Sequence, residues 1–322
     1  MRLVALASGN EITQSVLPEI LKKSVLLAGH IEFFTKPGSA VTYRKAGSSS
    51  DLSGKTRTLG NAYPETVVTP NYDTAARKFI GDQVKIDVAL ERMGYDLRSE
   101  LDAQLKRHMK DFPGLFHYQL INGDPDEDPT QFAGLKLLAP ANRTIKAATN
   151  GLQLLHGNND AARKSQQAFL EKLDEVIALC QGTNKVLLLN ARTMARLNSI
   201  AREYLTIQRN EFGIPVTSYN QVPLIDLGDY QAGVNTYLPI IGFNETCGTT
   251  ADKCASVYCA SFEEEDGVSF ASVKDGFMVY DITRVDNWLK VMYELIVDSA
   301  LVRPSALSKL EGLYIDDSEP VA

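Results

Sequence analysis

The sequence predicts an α+β fold of about two domains, on three observations. Residues 31–79 read as an extended ribbon with a polar tip. Residues 82–111 carry the longest helical periodicity in the chain. From about residue 159 onward, helical patterns are interleaved with short apolar strands. The 322 residues suffice to bury at least one sizeable core.

Residues 10–27 open the chain with a short helix. Asn10 or Thr13 caps it, Ile12, Val16 and Ile20 form its apolar stripe, and Pro18 sits in or near the first turns. The ribbon starts at Ile31–Thr35, runs through Ala40–Arg44 and returns as Glu65–Thr69. Only Leu52 and Leu59 are aliphatic between Ala46 and Ala62, so the tip cannot form a core. Extended at roughly 3.3 Å per residue, the stretch from Phe33 to Lys55 reaches about 70 Å. A two-stranded ribbon of that length is marginal alone in water and calls for a partner. The plain alternative is a surface loop.

In 82–111 the apolar positions Val84, Val88, Leu90, Met93, Leu97, Leu101, Leu105 and Met109 recur at helical spacing, and Pro113-Gly114 should break or kink this rod. Helices follow at about 159–181, with Gly182 just past the end, and after Asn190, which caps a stripe of Met194, Leu197 and Ile200. Strands are expected at Val186–Leu189, Val222–Leu227, Ser256–Phe262, Ser269–Phe270 and Phe277–Asp281, with an Asp266-Gly267 turn. A last apolar stretch, Trp288 to Val302, ends at Arg303-Pro304.

Charge is unevenly spread. The net charge is −7, against the basic surplus usual where bare nucleic acid is the main partner. Residues 33–78 nevertheless carry seven Lys/Arg and three acids, a local +4 that leaves −11 for the rest. A basic arm on an acidic body suits an arm lying on another copy of the chain. The arm cations Arg44, Lys45, Lys55, Arg57, Arg77 and Lys78 are therefore the expected inter-subunit residues. The start, Met1 to Ser8, has an apolar run too short for a secretory signal, and no run approaches the roughly 20 residues of a membrane span.

Chemical motifs are sparse. Asp124-x-Asp126-x-Asp128 opens like a calcium loop, but Pro129 and Leu135 stand where that loop needs glycine and glutamate, which favours a solvated acidic turn. Cys247, Cys254 and Cys259 lack the paired spacing of a zinc ribbon and have no histidine nearby. A Cys247–Cys254 disulfide and idle buried thiols remain open, with the small number of cysteines pointing to a reducing cytosol. Glu263 to Asp266 read as a solvated turn before Gly267 rather than acid–base machinery. The four histidines are scattered, and no nucleophile elbow, phosphate loop or zinc helix is present. No catalytic residue, metal or cofactor is expected.

Two passages carry a family resemblance. Leu120-Ile121-Asn122-Gly123-Asp124, followed by Phe132-Ala133-Gly134-Leu135, resembles the turn after the spine helix in major capsid proteins of tailed phages with the Hong Kong 97-type fold. Asp286–Lys290 through Ala300-Leu301-Val302-Arg303-Pro304-Ser305-Ala306 resembles their closing strands, and Thr217–Pro223 adds a weaker likeness. The resemblance implies an N-terminal arm (1–30), an extended loop (31–79), a peripheral domain (80–145 and 280–300) and an axial domain (146–279 and 301–322). It implies a structural subunit of an icosahedral virion, not an enzyme. Such subunits assemble in the host cytoplasm into hexamers and pentamers that face packaged DNA non-specifically. The further partners implied are scaffolding, portal and decoration proteins, with no membrane.

Two departures qualify it. No long scaffolding region precedes the arm, and Val291 follows Lys290 where some relatives place a cross-linking asparagine. An encapsulin-like cargo shell is the alternative within the fold. An α/β enzyme with an inserted hairpin is the alternative outside it.

Overall fold

The computed structural model describes residues 2–45, 57–61, 71–209, 213–233, 236–264 and 267–315. The N-terminal helix spans Glu11–Lys23. Asn10 caps it, its side chain accepting from Ile12 N at 3.0 Å, while Thr13 Oγ1 instead accepts from Val279 N at 3.0 Å. Val16, Leu17, Ile20 and Leu21 are buried, and Pro18 stays inside the helix. A π-helical turn, Leu26–His30, then delivers the chain to the strand Phe33–Thr35.

The ribbon leaves from there. Ala40–Lys45 pairs antiparallel with Asn71–Ala76, in register from Ala40↔Ala76 to Lys45↔Asn71. The return strand expected at 65–69 lies outside the described residues.

The helix expected at 82–111 is a strand followed by a later helix. Lys78–Asp87 is extended and pairs along its whole length with Trp288–Leu301, from Lys78↔Val297 to Asp87↔Trp288. Its buried residues Ile80, Val84 and Ile86 lie on one phase of an alternating strand, and only the four-residue step from Val84 to Val88 also fits a helix. At Gly81 a Cβ would stand 2.1 Å from the Tyr293 carbonyl oxygen, so the two strands meet there only because the side chain is missing. Ala89–Arg92 forms one helical turn, Gly94 ends it with φ +91°, and Met93 is 71% exposed.

The spine helix is Leu97–Asn122, capped by Asp96, whose side chain accepts from Arg98 N at 3.1 Å. It does not end at Pro113. Met109, Phe112, Phe116 and Leu120 are buried on both sides of the proline, and that packing holds the rod together across the lost hydrogen bond. Of the two leucines at the centre of the expected stripe, Leu101 is buried and Leu97 only half-buried.

Two sheets complete the fold. In the six-stranded one, Trp288–Leu301 is the hub, pairing with 78–87, 268–272, 277–279 and 283–285, while Phe33–Thr35 runs parallel to Val268–Ser272. The nine-stranded sheet has the path 144–146, 307–314, 250–261, 185–189, 222–226, 215–219, 205–209. The stretch 146–279 is thus divided between sheets, because 268–272 and 277–279 pair with the hub strand.

Helices Asp160–Leu179 and Ala191–Ile200, capped by Asn159 and Asn190, cover one face of the larger sheet. Leu187 and Leu189 point into that second core with Phe169, Leu173 and Leu197. Val186 and Leu188 point into the first core. Burial on both faces explains why this strand is an unbroken apolar run. Five phenylalanines lock the smaller sheet to the spine, with Phe270 at their centre. Its ring centroid lies 5.7 Å from Phe116, 5.9 Å from Phe33 and Phe132, and 6.3 Å from Phe262. No helix of the described residues is long and apolar enough to cross a membrane.

Candidate assembly surface

The base of the ribbon holds the most unusual charged group. Arg77 is only 7% exposed. Its backbone N–H donates to Ser39 O at 3.2 Å and Nη2 donates to Lys36 O, which ties the two sides of the ribbon together. Nε and Nη1 have no hydrogen-bond partner among the described residues. Asp298, itself buried on the hub strand, is the nearby acid: burial lifts its carboxyl to about 6, against the pull of the Ser299 N–H and of the Lys78 and Arg77 charges. Lys78 Nζ donates to Pro129 O.

The remaining expected contact residues scatter. Arg44 and Lys45 stand on the first ribbon strand, paired with Tyr72 and Asn71. Arg57 is exposed, with Nη1 donating to Asn61 O at 3.2 Å, and Lys55 lies outside the described residues. Arg77 and Lys78 therefore fix the root of the arm, while Arg57 faces solvent.

Asp298 gives a measurable pH effect. Its folded pKa is raised, so between pH 4 and 6 the folded chain holds a proton that the unfolded chain has released. The stability from this group is present at low pH and lost as pH rises through about 6. Asp298→Asn should therefore stabilise the chain at pH 7 by up to about 3 kcal/mol and have little effect near pH 4. Urea titrations of both proteins at the two pH values check this.

Apolar groups mark two further surfaces that sequence reading missed. Phe79 is 62% exposed on the outer face of the six-stranded sheet, opposite Ile296. Further along the same strand pair Trp288 and Met292 are also exposed, with Lys85 Nζ 5.0 Å from the Trp288 ring centroid. At the edge of the nine-stranded sheet Ile207 is 72% exposed, near Tyr204. The signal was present at Trp288–Val291, where apolar residues occupy both phases of the strand; one phase is core and the other is surface.

The acidic motifs are occupied by the backbone. Asp124 Oδ1 accepts from Asp126 N at 2.9 Å, and Asp128 Oδ1 accepts from Thr130 N at 2.9 Å and Thr130 Oγ1 at 2.7 Å. Glu263 Oε1 accepts from Ser261 Oγ at 2.8 Å and Asn184 N at 3.1 Å. Burial raises its carboxyl, but these bonds and those from Thr183 carry it below the usual range. Among the described residues, no three His, Cys, Asp or Glu side chains converge as a metal site.

His117, on the spine, is buried where three parts of the chain meet. It bonds Ser24 Oγ, just after the N-terminal helix, at 2.8 Å and the Leu227 carbonyl, beyond the larger sheet's strand 222–226, at 3.1 Å. Nearby, the rings of Tyr118 and Tyr230 lie 4.3 Å apart, joining the spine to the hairpin of Asp229–Gly233 and Thr236–Pro239.

This arrangement has counterparts of the same fold among solved structures. The SrpI encapsulin of Synechococcus elongatus PCC 7942 aligns over 100% of this chain and 98% of its own, with a TM-score of 0.58 and 12% identity. The chain has the Hong Kong 97-type fold. The procapsid of satellite phage P4 shares this fold over 97% of the chain and 94% of its own, with a TM-score of 0.52 and 12% identity. The capsid of a native GTA particle matches over 89% of both chains, with a TM-score of 0.53 and 12% identity. No protein-family model matches the sequence, and no curated protein matches it by sequence. In the Hong Kong 97-type fold of this chain, the spine follows the long strand 78–87 rather than including it.

Proposed function

We propose that the chain is the structural subunit of an icosahedral phage capsid, building hexamers and pentamers that enclose the genome, and that it is not an enzyme. The observation that carries this reading is the Hong Kong 97-type fold with its paired arm, 40–45 against 71–76. An arm with so little core of its own gains its stability on a neighbour, and many modest contacts of that kind let misplaced subunits leave during assembly. The spine and six-stranded sheet form the peripheral domain, including 268–279, and the nine-stranded sheet forms the axial domain. The arm cations Arg44, Lys45, Lys55 and Arg57 then meet acidic surface on the next subunit. The shell would assemble in the host cytoplasm, with scaffolding, portal and decoration proteins as further partners and DNA facing the inner wall without sequence readout.

An encapsulin-like cargo shell is the second reading, favoured by the full-length likeness to SrpI. The contents separate the two: nucleic acid in particles from the native source supports the capsid, and a packaged protein supports the compartment.

The arm is tested by reversing Lys45, Lys55 and Arg57 to glutamate. Exposed ion pairs are individually worth about 0–1 kcal/mol, but they are repeated at every subunit contact. The triple variant should stay folded by circular dichroism and lose particle formation. Particles of normal yield and salt tolerance would refute the arm's role.

A further inference from the structure

We infer that Cys247 and Cys254 form a dithiol site that closes to an intramolecular disulfide when the protein meets a small-molecule disulfide oxidant. This goes beyond the shell reading and does not depend on it.

The two cysteines lie on neighbouring strands, Glu245–Cys247 and Thr250–Ser261, joined by a tight hairpin. Glu245 pairs with Cys254 and Cys247 with Thr250, and the irregular register between these pairs brings Cys254 towards Cys247. Cys254 Sγ faces the Cys247 backbone N–H. The two thiols rest on two adjoining glycines, one each. A Cβ at Gly312 would stand 2.6 Å from Cys247 Sγ, and one at Gly151 would stand 2.9 Å from Cys254 Sγ. The same Cβ at Gly312 would be 3.4 Å from Gly151 Cα, so the glycines adjoin and together clear one shared space. Both have positive φ, +89° and +81°, conformations that a side chain would strain. Cys247 Sγ also lies 3.7 Å from the Ala148 carbonyl, which orients it over this floor.

The site is shallow. Both thiols are buried, but Gly248, Thr249 and Ala251–Lys253 of the covering hairpin are exposed, so a small opening of the hairpin admits a reagent. The other two cysteines contrast with it. Cys180 and Cys259 neighbour each other in the second core, between the helix Asp160–Leu179 and the larger sheet.

The reaction is two successive exchanges. The Cys247 thiol loses its proton and attacks the oxidant's S–S bond, forming a mixed disulfide and releasing one small thiol. Cys254, whose burial raises its thiol and makes it the second to react, then loses its proton and attacks Cys247 Sγ. The second small thiol leaves with the electron pair. The protein loses two protons and two electrons, and the oxidant's S–S bond takes them up to become two thiols.

The test uses the folded full-length chain, incubated with oxidised glutathione, alkylated and mapped by mass spectrometry. Alkylatable thiols should fall from the four of the native chain to two. The protein should become about 2 Da lighter, with Cys247 and Cys254 in one linked fragment. Cys254→Ser should instead trap glutathione on Cys247, and Cys180→Ser should leave closure unchanged. Four thiols still alkylating, a mixed disulfide that persists in the parent chain, or a link to Cys180, Cys259 or a second chain would each overturn the inference.

Discussion

Replacing Phe270 with alanine should destabilise the unassembled chain by about 3–5 kcal/mol, the largest effect expected of any single substitution considered. The ring is fully buried and touches four other phenylalanine rings contributed by the N-terminal strand, the spine, the loop after the spine, and the end of the longest strand of the larger sheet. Removing it leaves a cavity that these elements cannot close without breaking the pairing of Val268–Ser272 with its neighbours on both sides. Phe79→Ala provides the control, since that ring is largely exposed and should cost under about 0.5 kcal/mol in the unassembled chain. Urea denaturation of each variant measures both. Equal costs would mean that the phenylalanine cluster is not the joint between the spine and the sheets.

The second large effect is acid-driven and belongs to His117. Burial pushes its imidazole down to about 4, although the Leu227 carbonyl favours the charged form. Below pH 6.5 the unfolded chain takes up a proton that the folded chain refuses until about pH 4. Stability from this group is therefore complete above pH 6.5 and lost as pH falls towards 4, by up to about 3 kcal/mol. Protonation gives both ring nitrogens a proton, so Ser24 Oγ can no longer donate to Nε2. His117→Gln should remove this dependence.

Asp298 titrates across the same window with the opposite sign, gaining stability as pH falls from 6 to 4. The two slopes offset each other in the parent chain. Asp298→Asn should expose a steeper acid loss, and His117→Gln a gain on acidification. Stability measured at pH 7, 5.5 and 4 on the parent and both variants separates the contributions. Identical pH profiles in all three would remove both residues from the pH response.

The fold class, the ribbon's first strand and most helices and strands of the second half were legible from a clear helical period or from short, bounded apolar runs such as Val186–Leu189. Asn10, Asn159 and Asn190 cap their helices as their side-chain chemistry requires. The misassignment of 82–111 has a definite cause. Ile80, Val84 and Ile86 satisfy a strand's alternation, while Val84 and Val88 match helical spacing. What decides between them is the long partner strand 288–301, some two hundred positions away, which a local pattern cannot register. Pro113 failed as a helix breaker for the same kind of reason: buried neighbours on both sides hold the rod.

The candidate surface was less legible. A count of cations cannot show that Arg77 turns inward at the root of the arm while Arg57 faces out. The exposed ring of Phe79 was equally invisible until the strand's register placed Ile80 inside. The thiol floor was hidden because Gly151 and Gly312 meet only through the pairing of 152–153 with 313–314.

Self-assembly is tested most directly by negative-stain electron microscopy of the purified full-length protein, with light scattering across salt and concentration. The result expected is closed, rounded shells of uniform size, or the hexamers and pentamers from which they are built. A protein that remains a stable monomer under every condition would contradict the proposed function, whatever its fold.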